Sequence, residues 1–437
     1  MNRTRIVEVR RFELLEDRLA GFSIDIPVAN ECAEGFWARV AGWVVGRHQP
    51  VREIRVSIPE VGRPVQRLAA NLPRPDVQAY LPSHAHAMHS GFDGHFSTFG
   101  LAPHFEVVVE VVDAEQRVIP VATICGTREG NPVWKAEPGQ LQPILVTALA
   151  RSGTTWLMRL LSVHPAIVVY AQYPYEMHAA GYWWQVCRVL TAPSGGIDIG
   201  HPDYFWFYLD RVGPPPFSIP DMLSEPGLAH WFRAQHVGRV LAHTSSMIEA
   251  FYRHIAASQQ KQAVSHFAEK QAIPAYSWLV WELYPGAREI FLVRDFRDLY
   301  CSIVAFNRKR GVIAFERDNF DSDEAYARWL SECAVVLQRN WEARADRALL
   351  VRYEDLITAP QPEIARVLNY LGLDSRPGIV SMMLAQANMP DVNLQKHRTV
   401  DDAMQSIGRW RRELSPALQA VVNDAFRDSL RAFGYGV

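Results

Sequence analysis

The sequence predicts an α/β fold, a P-loop-like parallel sheet flanked by helices, preceded by a smaller all-β, sandwich-like domain. Three observations carry this. Up to about residue 138 the chain runs in short stretches rich in β-branched and aromatic residues, many alternating apolar with polar, punctuated by Gly and Pro. From residue 139 onward, apolar strand candidates alternate with helical stretches. The first of these apolar runs, residues 144–149, carries no charge, the mark of a strand buried on both faces. The expected boundaries are therefore 1–138 for a β-rich accessory domain and 139–437 for the α/β domain.

In the first domain, residues 36–45, 53–58 and 105–112 are the strand candidates, with turns expected at 60–64 and 91–94. Short strands at this spacing suggest an antiparallel sandwich. His84, His86, His89 and His95 fall close together. They lack the accepted zinc spacings, so a solvated loop is preferred over a metal site. Residues 130–139 read as a linker. Beyond it come a strand at 144–149, a helix at 154–162, and strands at 167–170 and 263–268. A strand at 288–293 precedes a helix at 299–308, and a strand at 348–353 precedes a helix at 362–371. Ligands of such sheets bind at the carboxyl ends of the strands.

Bulk properties narrow the function. A chain of 437 residues exceeds one ordinary core. Apolar residues at 49% and charged residues at 21% fit a soluble globular protein. A net charge of -2 gives no global basic field for nucleic acid, so any anion site must be local. Cys32, Cys125, Cys187, Cys301 and Cys333 are scattered and include no C-x-x-C pair, which argues against a disulfide framework or zinc and for a reducing compartment. The charged N-terminus is not followed by the apolar core of a secretory signal, and no run approaches the roughly 20 apolar residues of a membrane span. A cytoplasmic location is expected, with no metal.

Residues 143–157 read Pro-Ile-Leu-Val-Thr-Ala-Leu-Ala-Arg-Ser-Gly-Thr-Thr-Trp-Leu: an apolar strand, a tight turn and the start of a helix. The G-x-x-x-x-G-K-[ST] of nucleoside triphosphatases is missing. What remains still suits an anion. Unpaired N–H groups at a helix N-terminus favour negative charge. Gly153 permits close backbone approach. Ser152, Thr154 and Thr155 offer hydroxyls, and Arg151 brings a planar fork matched to phosphate or sulfate oxygens. A capped helix after a buried strand is the plainer alternative. A second strand-to-helix stretch, Ile290-Phe-Leu-Val-Arg-Asp-Phe-Arg-Asp-Leu-Tyr-Cys-Ser302, places Arg294 at a strand end and Ser302 two turns on. Arg294 alone would suit an ion pair with Asp295 or Asp298. Two anion-ready strand ends on one sheet favour a ligand.

Together these stretches resemble the sulfotransferases that use 3′-phosphoadenosine 5′-phosphosulfate, over roughly residues 141–434. Arg-Ser-Gly-Thr-Thr-Trp at 151–156 is similar to that family's 5′-phosphosulfate loop, and Arg294 with Ser302 to its 3′-phosphate site. Val351-Arg-Tyr-Glu-Asp-Leu356, which contains Tyr353, resembles the family's R-Y-E-D-L stretch, and Ile407-Gly-Arg-Trp-Arg-Arg412 its C-terminal G-R-W segment, which contributes Arg409 and Trp410 to cofactor closure. Arg151 replaces the lysine of the cytosolic animal branch. That matches the arginine-loop branch of tyrosylprotein and many bacterial sulfotransferases. The histidine base of the cytosolic branch, in a T-H-x-P setting, is not found here.

Sulfuryl transfer needs in-line positioning, stabilised equatorial oxygens and a neutralised leaving group. The resemblance implies that Arg151 stabilises the leaving phosphate and that Ser152, Gly153, Thr154 and Thr155 cradle the 5′ end. It further implies that Trp156 lies against the adenine, for which a core aromatic is the alternative. Glu176 stands where that branch has its glutamate base, with a helix-terminal glutamate as the alternative; His178 is the reserve and His266 a distant one. Lys270 resembles the branch's lysine before a proline and would neutralise the transferring group, or else form a plain salt bridge. Aromatics at 182–184, 204–208 and 214–217 would flank the acceptor or pack a lid. Arg74-Pro-Asp-Val77 and Ser90-Gly-Phe92 resemble a β module of some bacterial glycan-modifying enzymes, which tilts the acceptor toward a carbohydrate or glycolipid. A packing or homodimer role for that module stays open. The rivals are a P-loop-type kinase and a non-catalytic glycan-binding protein.

Overall fold

Alternate residues of 104–112 are β-branched or aromatic, and the strand they form buries Phe105, Val107, Val109 and Val111 on one face. A computed structural model places this strand and describes residues 3–13, 17–59, 63–129, 139–193, 225, 227–228, 231–271 and 277–436. The chain divides into two compact units. One comprises Met1–Ala136 with Tyr182–Met247 and Trp278–Leu283; the other comprises Glu137–Gly181, Ile248–Ser277 and Tyr284–Val437.

Among its described residues the first unit contains nine strands: β1 (Arg3–Arg11), β2 (Leu19–Ile26), β3 (Cys32–Glu34), β4 (Trp37–Gly46), β5 (Glu53–Ile58), β6 (Arg63–Leu68), β7 (Gly91–Ser97), β8 (His104–Val112) and β9 (Val118–Glu129). They form a six-stranded sheet in the order β3-β1-β9-β8-β5-β6 and a three-stranded sheet in the order β2-β4-β7. All pairings are antiparallel. Ile6, Val56, Val107 and Ile124 of the larger sheet share one core with Ile24, Val40, Phe92 and Phe96 of the smaller. Two sheets over one core make the sandwich that the alternation implied.

Residues 91–94, expected as a turn, lie inside β7. The reason is packing: a Cβ on Gly94 would meet Leu68 at 2.3 Å, and one on Gly91 would meet the Arg74 side chain at 2.9 Å. The Arg74 guanidinium pairs with Asp76 at 2.7 Å and Asp25 at 2.8 Å. It thereby ties the short helix α1 (Pro75–Tyr80) to the end of β2. In this structure both stretches quoted for the glycan-associated module build a corner of the sandwich. His86 and His89 are exposed, and His95 lies in β7 beside Trp37. Trp37 also donates its indole N–H to the Thr191 carbonyl at 3.2 Å.

The second unit is built on five parallel strands: β10 (Gln142–Thr147), β11 (Ile167–Val168), β12 (His266–Gln271), β13 (Arg288–Val293) and β14 (Ala348–Arg352), in the order β11-β12-β10-β13-β14. All four pairings are parallel. Ile290 and Leu292 of β13 pack with Leu157 and Leu161 of α2 (Thr154–Val163). Phe291 and Val293 face the other way, toward Leu299 and Leu337. Helices therefore cover both faces, as the alternation of strands and helices implied. Beneath β10, Thr147 donates to Glu289 at 2.6 Å, and Glu289 pairs with the equally buried Arg344 at 2.9 Å. Such a pair is broken only at high cost because either partner alone would be a buried charge. Strand order reverses about β10, which opens a crevice at the carboxyl ends of β10, β12 and β13.

Candidate functional site

The loop after β10 turns sharply. Arg151 has φ +65° and Gly153 φ +95°, both in the left-handed region. Gly153 is the N-cap of α2 and supplies no side-chain cap. The first N–H groups of α2 thus lack a side-chain acceptor from Gly153, and that of Trp156 donates to the Gly153 carbonyl at 3.1 Å. A Cβ at Gly153 would meet the Tyr353 ring at 2.6 Å, so close backbone packing and the positive φ both require glycine. Arg151 donates from Nε to the Ser302 hydroxyl at 3.3 Å and lies over the Phe306 ring at 4.6 Å. Burial, then the charge of Arg294, push its basicity down to about 10.

The loop after β13 is built differently. Asp295 caps α6 (Phe296–Arg310; α3 is Ala179–Thr191, α4 Val237–Ser258 and α5 Ser277–Leu283) by accepting from the Arg297 N–H at 3.0 Å. Asp295 also pairs with the Arg297 side chain at 2.7 Å. Asp298 accepts from the N–H groups of Gly408 at 2.7 Å and Trp410 at 3.0 Å. Arg294, 4% exposed, is left to donate to the carbonyls of Arg151 at 3.1 Å and Ser406 at 2.9 Å. Its guanidinium lies over the Tyr353 ring at 4.7 Å, and its buried Nε has no hydrogen-bond partner. Two buried guanidinium groups side by side, one with an orphaned donor, form an anion-binding arrangement.

Lys270 of β12 sits opposite Val146 of β10. Its ammonium donates to Thr155 Oγ1 at 3.0 Å, the Pro174 carbonyl at 2.7 Å and Glu176 Oε1 at 2.8 Å. Burial lowers its basicity, and Glu176 opposes that shift. The Glu176 side chain is 48% exposed, so it faces solvent as well as the lysine. Next to Lys270, the buried Glu269 accepts from the N–H groups of Ala180 at 2.7 Å and Gly181 at 3.1 Å and from Tyr252. This clamp fixes the start of α3 and with it the preceding 173–178 segment. His178 is exposed with φ +50°. His266 begins β12, at the opposite edge of the sheet, where burial pushes its imidazole down to about 4.

One cavity of about 630 Å³ joins these groups. Arg151, Gly153, Thr154, Thr155, Trp156, Glu176, Arg294, Ser302 and Tyr353 line it. Ser152 is buried behind its loop, and Lys270 reaches the cavity through Thr155 and Glu176. Arg409 and Trp410 lie outside the lining: Arg409 pairs with Glu413 at 2.8 Å, and Trp410 packs between the Arg297 and Arg411 guanidinium groups at 4.2 and 4.4 Å. The cavity also takes in Phe306, Arg310, Asn388, Asp402 and Ser406, which the sequence reading passed over. Ser302, Phe306 and Arg310 are four residues apart on one helix, a spacing that could have flagged them. Nothing local marks Ser406. Among the described residues no group of three or more His, Cys, Asp or Glu is placed to hold a metal, and no helix is long and apolar enough to cross a membrane.

The sulfotransferase family model matches residues 143–377, more than half of the chain. A protein-tyrosine sulfotransferase of Drosophila melanogaster is 25% identical over 178 residues, 39% of this chain and 33% of that protein. The chain thus matches about a third of the length of that curated relative. Among solved structures, the sulfotransferase domain of the Synechococcus PCC 7002 olefin synthase is 21% identical, covering 70% of this chain and 99% of that one with a TM-score of 0.36. The mouse sulfotransferase SULT7A1, complexed with PAP, is 13% identical, covering 69% and 87% with a TM-score of 0.34. Scores at this level add no weight to the family match. With the parallel sheet, the two strand-end loops and a match that spans both of them, the chain belongs to the sulfotransferase family.

Proposed function

We propose that the protein moves the sulfuryl group of 3′-phosphoadenosine 5′-phosphosulfate to a hydroxyl of its acceptor, without a metal. The observation that carries this is the shared cavity: Arg151, Thr154 and Thr155 line it from one strand end, Arg294 and Ser302 from the next. Donors from two strand ends in one cavity suit a ligand that carries two anionic groups. In this scheme Arg151 and the amides of residues 152–155 hold the 5′ end, and Arg151 stabilises charge on the leaving phosphate. Arg294 and Ser302 hold the 3′-phosphate. Trp156 and Tyr353 contact the adenosine, while Arg409 and Trp410 support the segment beside it. Lys270 neutralises the transferring group, and Glu176, within 2.8 Å of Lys270, takes the acceptor proton. We assign the transfer to residues 139–437, with 1–138 as the accessory module.

A carbohydrate or glycolipid hydroxyl is the proposed acceptor class, and a tyrosyl hydroxyl, by the name of the curated relative, is the second. The aromatic stretches 204–208 and 214–217 lie outside the described residues. We place the reaction in the cytoplasm. A kinase would need magnesium and ATP turnover, and a glycan-binding protein would show no turnover at all. The test is release of 3′-phosphoadenosine 5′-phosphate from the sulfuryl donor in the presence of oligosaccharide, glycolipid and tyrosyl-peptide panels. Acceptor-dependent release is expected, with kcat in Glu176→Gln lower by about 10²–10⁴. Unchanged kcat in that variant across pH would remove Glu176 as base.

A further inference from the structure

One carboxylate beside the cavity has no part in the chemistry above. Asp298 lies in the first turn of α6 and is 1% exposed. A buried carboxylate persists only where hydrogen bonds or charges compensate its lost hydration. Here the compensation comes from 110 residues downstream: the backbone N–H groups of Gly408, at 2.7 Å, and of Trp410, at 3.0 Å. Neither bond involves a side chain of the downstream segment, so Asp298 reads its path and not its identity. Gly408 has φ +66°, which lets the chain turn so that both amides converge on one carboxylate.

The segment held in this way forms one side of the cavity. Thr399, Asp402, Met404 and Ser406 line it. Ser406 makes two further bonds there: its carbonyl accepts from Arg294 at 2.9 Å, and its hydroxyl meets the Tyr353 hydroxyl at 3.0 Å. Arg294 thus stands between the segment and the proposed 3′-phosphate position. Displacing Ser406 would take an acceptor from the Arg294 guanidinium and shift its aim.

We propose that Asp298 is a positioning residue, a latch that holds the 399–410 wall against the cavity and thereby sets the geometry of Arg294 and the retention of the bound nucleotide. This rests on the function proposed above. Asp298 touches no ligand group; it acts through the backbone of the wall.

The charges around the latch set the protonation of its carboxyl. On its own helix Asp298 faces Asp295, itself paired with Arg297, and, just before the helix, Arg294; the Cys301 thiol is close, and its basicity is raised by burial. From the downstream segment, Arg409 is paired with Glu413, and Arg411 lies beside Gly408. Burial raises the Asp298 carboxyl to about 6, against the pull of the two amides. A carboxyl that titrates higher in the closed wall than in water binds its proton more tightly there, so protonation by itself does not open the wall to solvent. Asparagine at 298 keeps one acceptor oxygen and sets an amide donor against the second backbone N–H.

Two measurements test this. The first is hydrogen exchange of the 399–410 wall at pH 7.5 in wild type and Asp298→Asn. Protection at Gly408 and Trp410 is expected to fall about tenfold in the variant; unchanged protection would overturn the proposal, and this arm needs no ligand. The second is the Kd for 3′-phosphoadenosine 5′-phosphate in wild type and Asp298→Asn. A 10- to 100-fold weaker Kd is expected at pH 7.5. A variant that melts earlier yet keeps wild-type exchange in 399–410 and wild-type Kd would show a purely structural role and overturn the latch. Failure of the wild type to bind the nucleotide would sink the proposed function instead, and the exchange arm would still decide the latch.

Discussion

The two strand-to-helix loops of the crevice look alike in sequence and are built in opposite ways. After β10, the helix starts at a glycine with φ +95° that gives its first amides no side-chain cap. After β13, Asp295 caps the first turn of α6, and Arg294, Ser302, Phe306 and Arg310 reach the cavity. In the proposed function the first loop adds backbone amides to its side chains, and the second offers side chains. A backbone nest tolerates no added Cβ. A capped helix can lose its cap at a cost in stability while its ligand side chains stay in place.

That difference can be broken from either side. The largest effect is expected from Arg151→Ala, which removes the cation that bridges both loops through its 3.3 Å contact with Ser302. Turnover should fall by about 10³, the scale of losing an electrostatic group aimed at the transition state; steady-state kinetics with the sulfuryl donor measure this. Gly153→Ala comes next. Its Cβ would meet Tyr353 at 2.6 Å, so the nest must deform. Nucleotide Kd should weaken by about 30-fold, on the order of 2 kcal/mol, in calorimetric titration. Asp295→Ala should do least to binding. It removes the cap and one partner of the buried Arg297, so stability should drop by about 3 kcal/mol in denaturant unfolding. Nucleotide Kd should stay within about threefold, because Arg294 makes its bonds to the carbonyls of Arg151 and Ser406.

Much of this was legible because it depends on local pattern. The uncharged run at 144–149 marked β10 as a strand buried on both faces, the apolar run after Arg288 and Glu289 marked β13, and the structure extends the helix expected at 299–308 to Phe296–Arg310. Arg151, Thr154, Thr155, Arg294 and Ser302 were picked out because strand ends on a parallel sheet converge. Long-range closure was not legible. An ion pair of Arg294 with Asp295 or Asp298 was the alternative to a ligand, and those carboxylates are engaged by Arg297 and by the amides of Gly408 and Trp410. No sequence rule pairs residue 298 with residue 408. Arg409 illustrates a signal passed over: Arg409 and Glu413 stand four apart, the spacing of a helical ion pair, and that is how the arginine is spent. The turn expected at 91–94 misread glycines whose role is to make room for Leu68 and Arg74.

The central claim is that the two loops together hold one bisphosphorylated nucleotide. The direct measurement is magnesium-free calorimetric titration of 3′-phosphoadenosine 5′-phosphate into wild type and Arg294→Ala, with ATP in parallel. Binding that weakens at least 30-fold in the variant and exceeds ATP binding is expected, since Arg294 brings to the cavity wall a buried guanidinium nitrogen that has no hydrogen-bond partner. Equal affinity for ATP, or no loss in Arg294→Ala, would contradict the two-loop site.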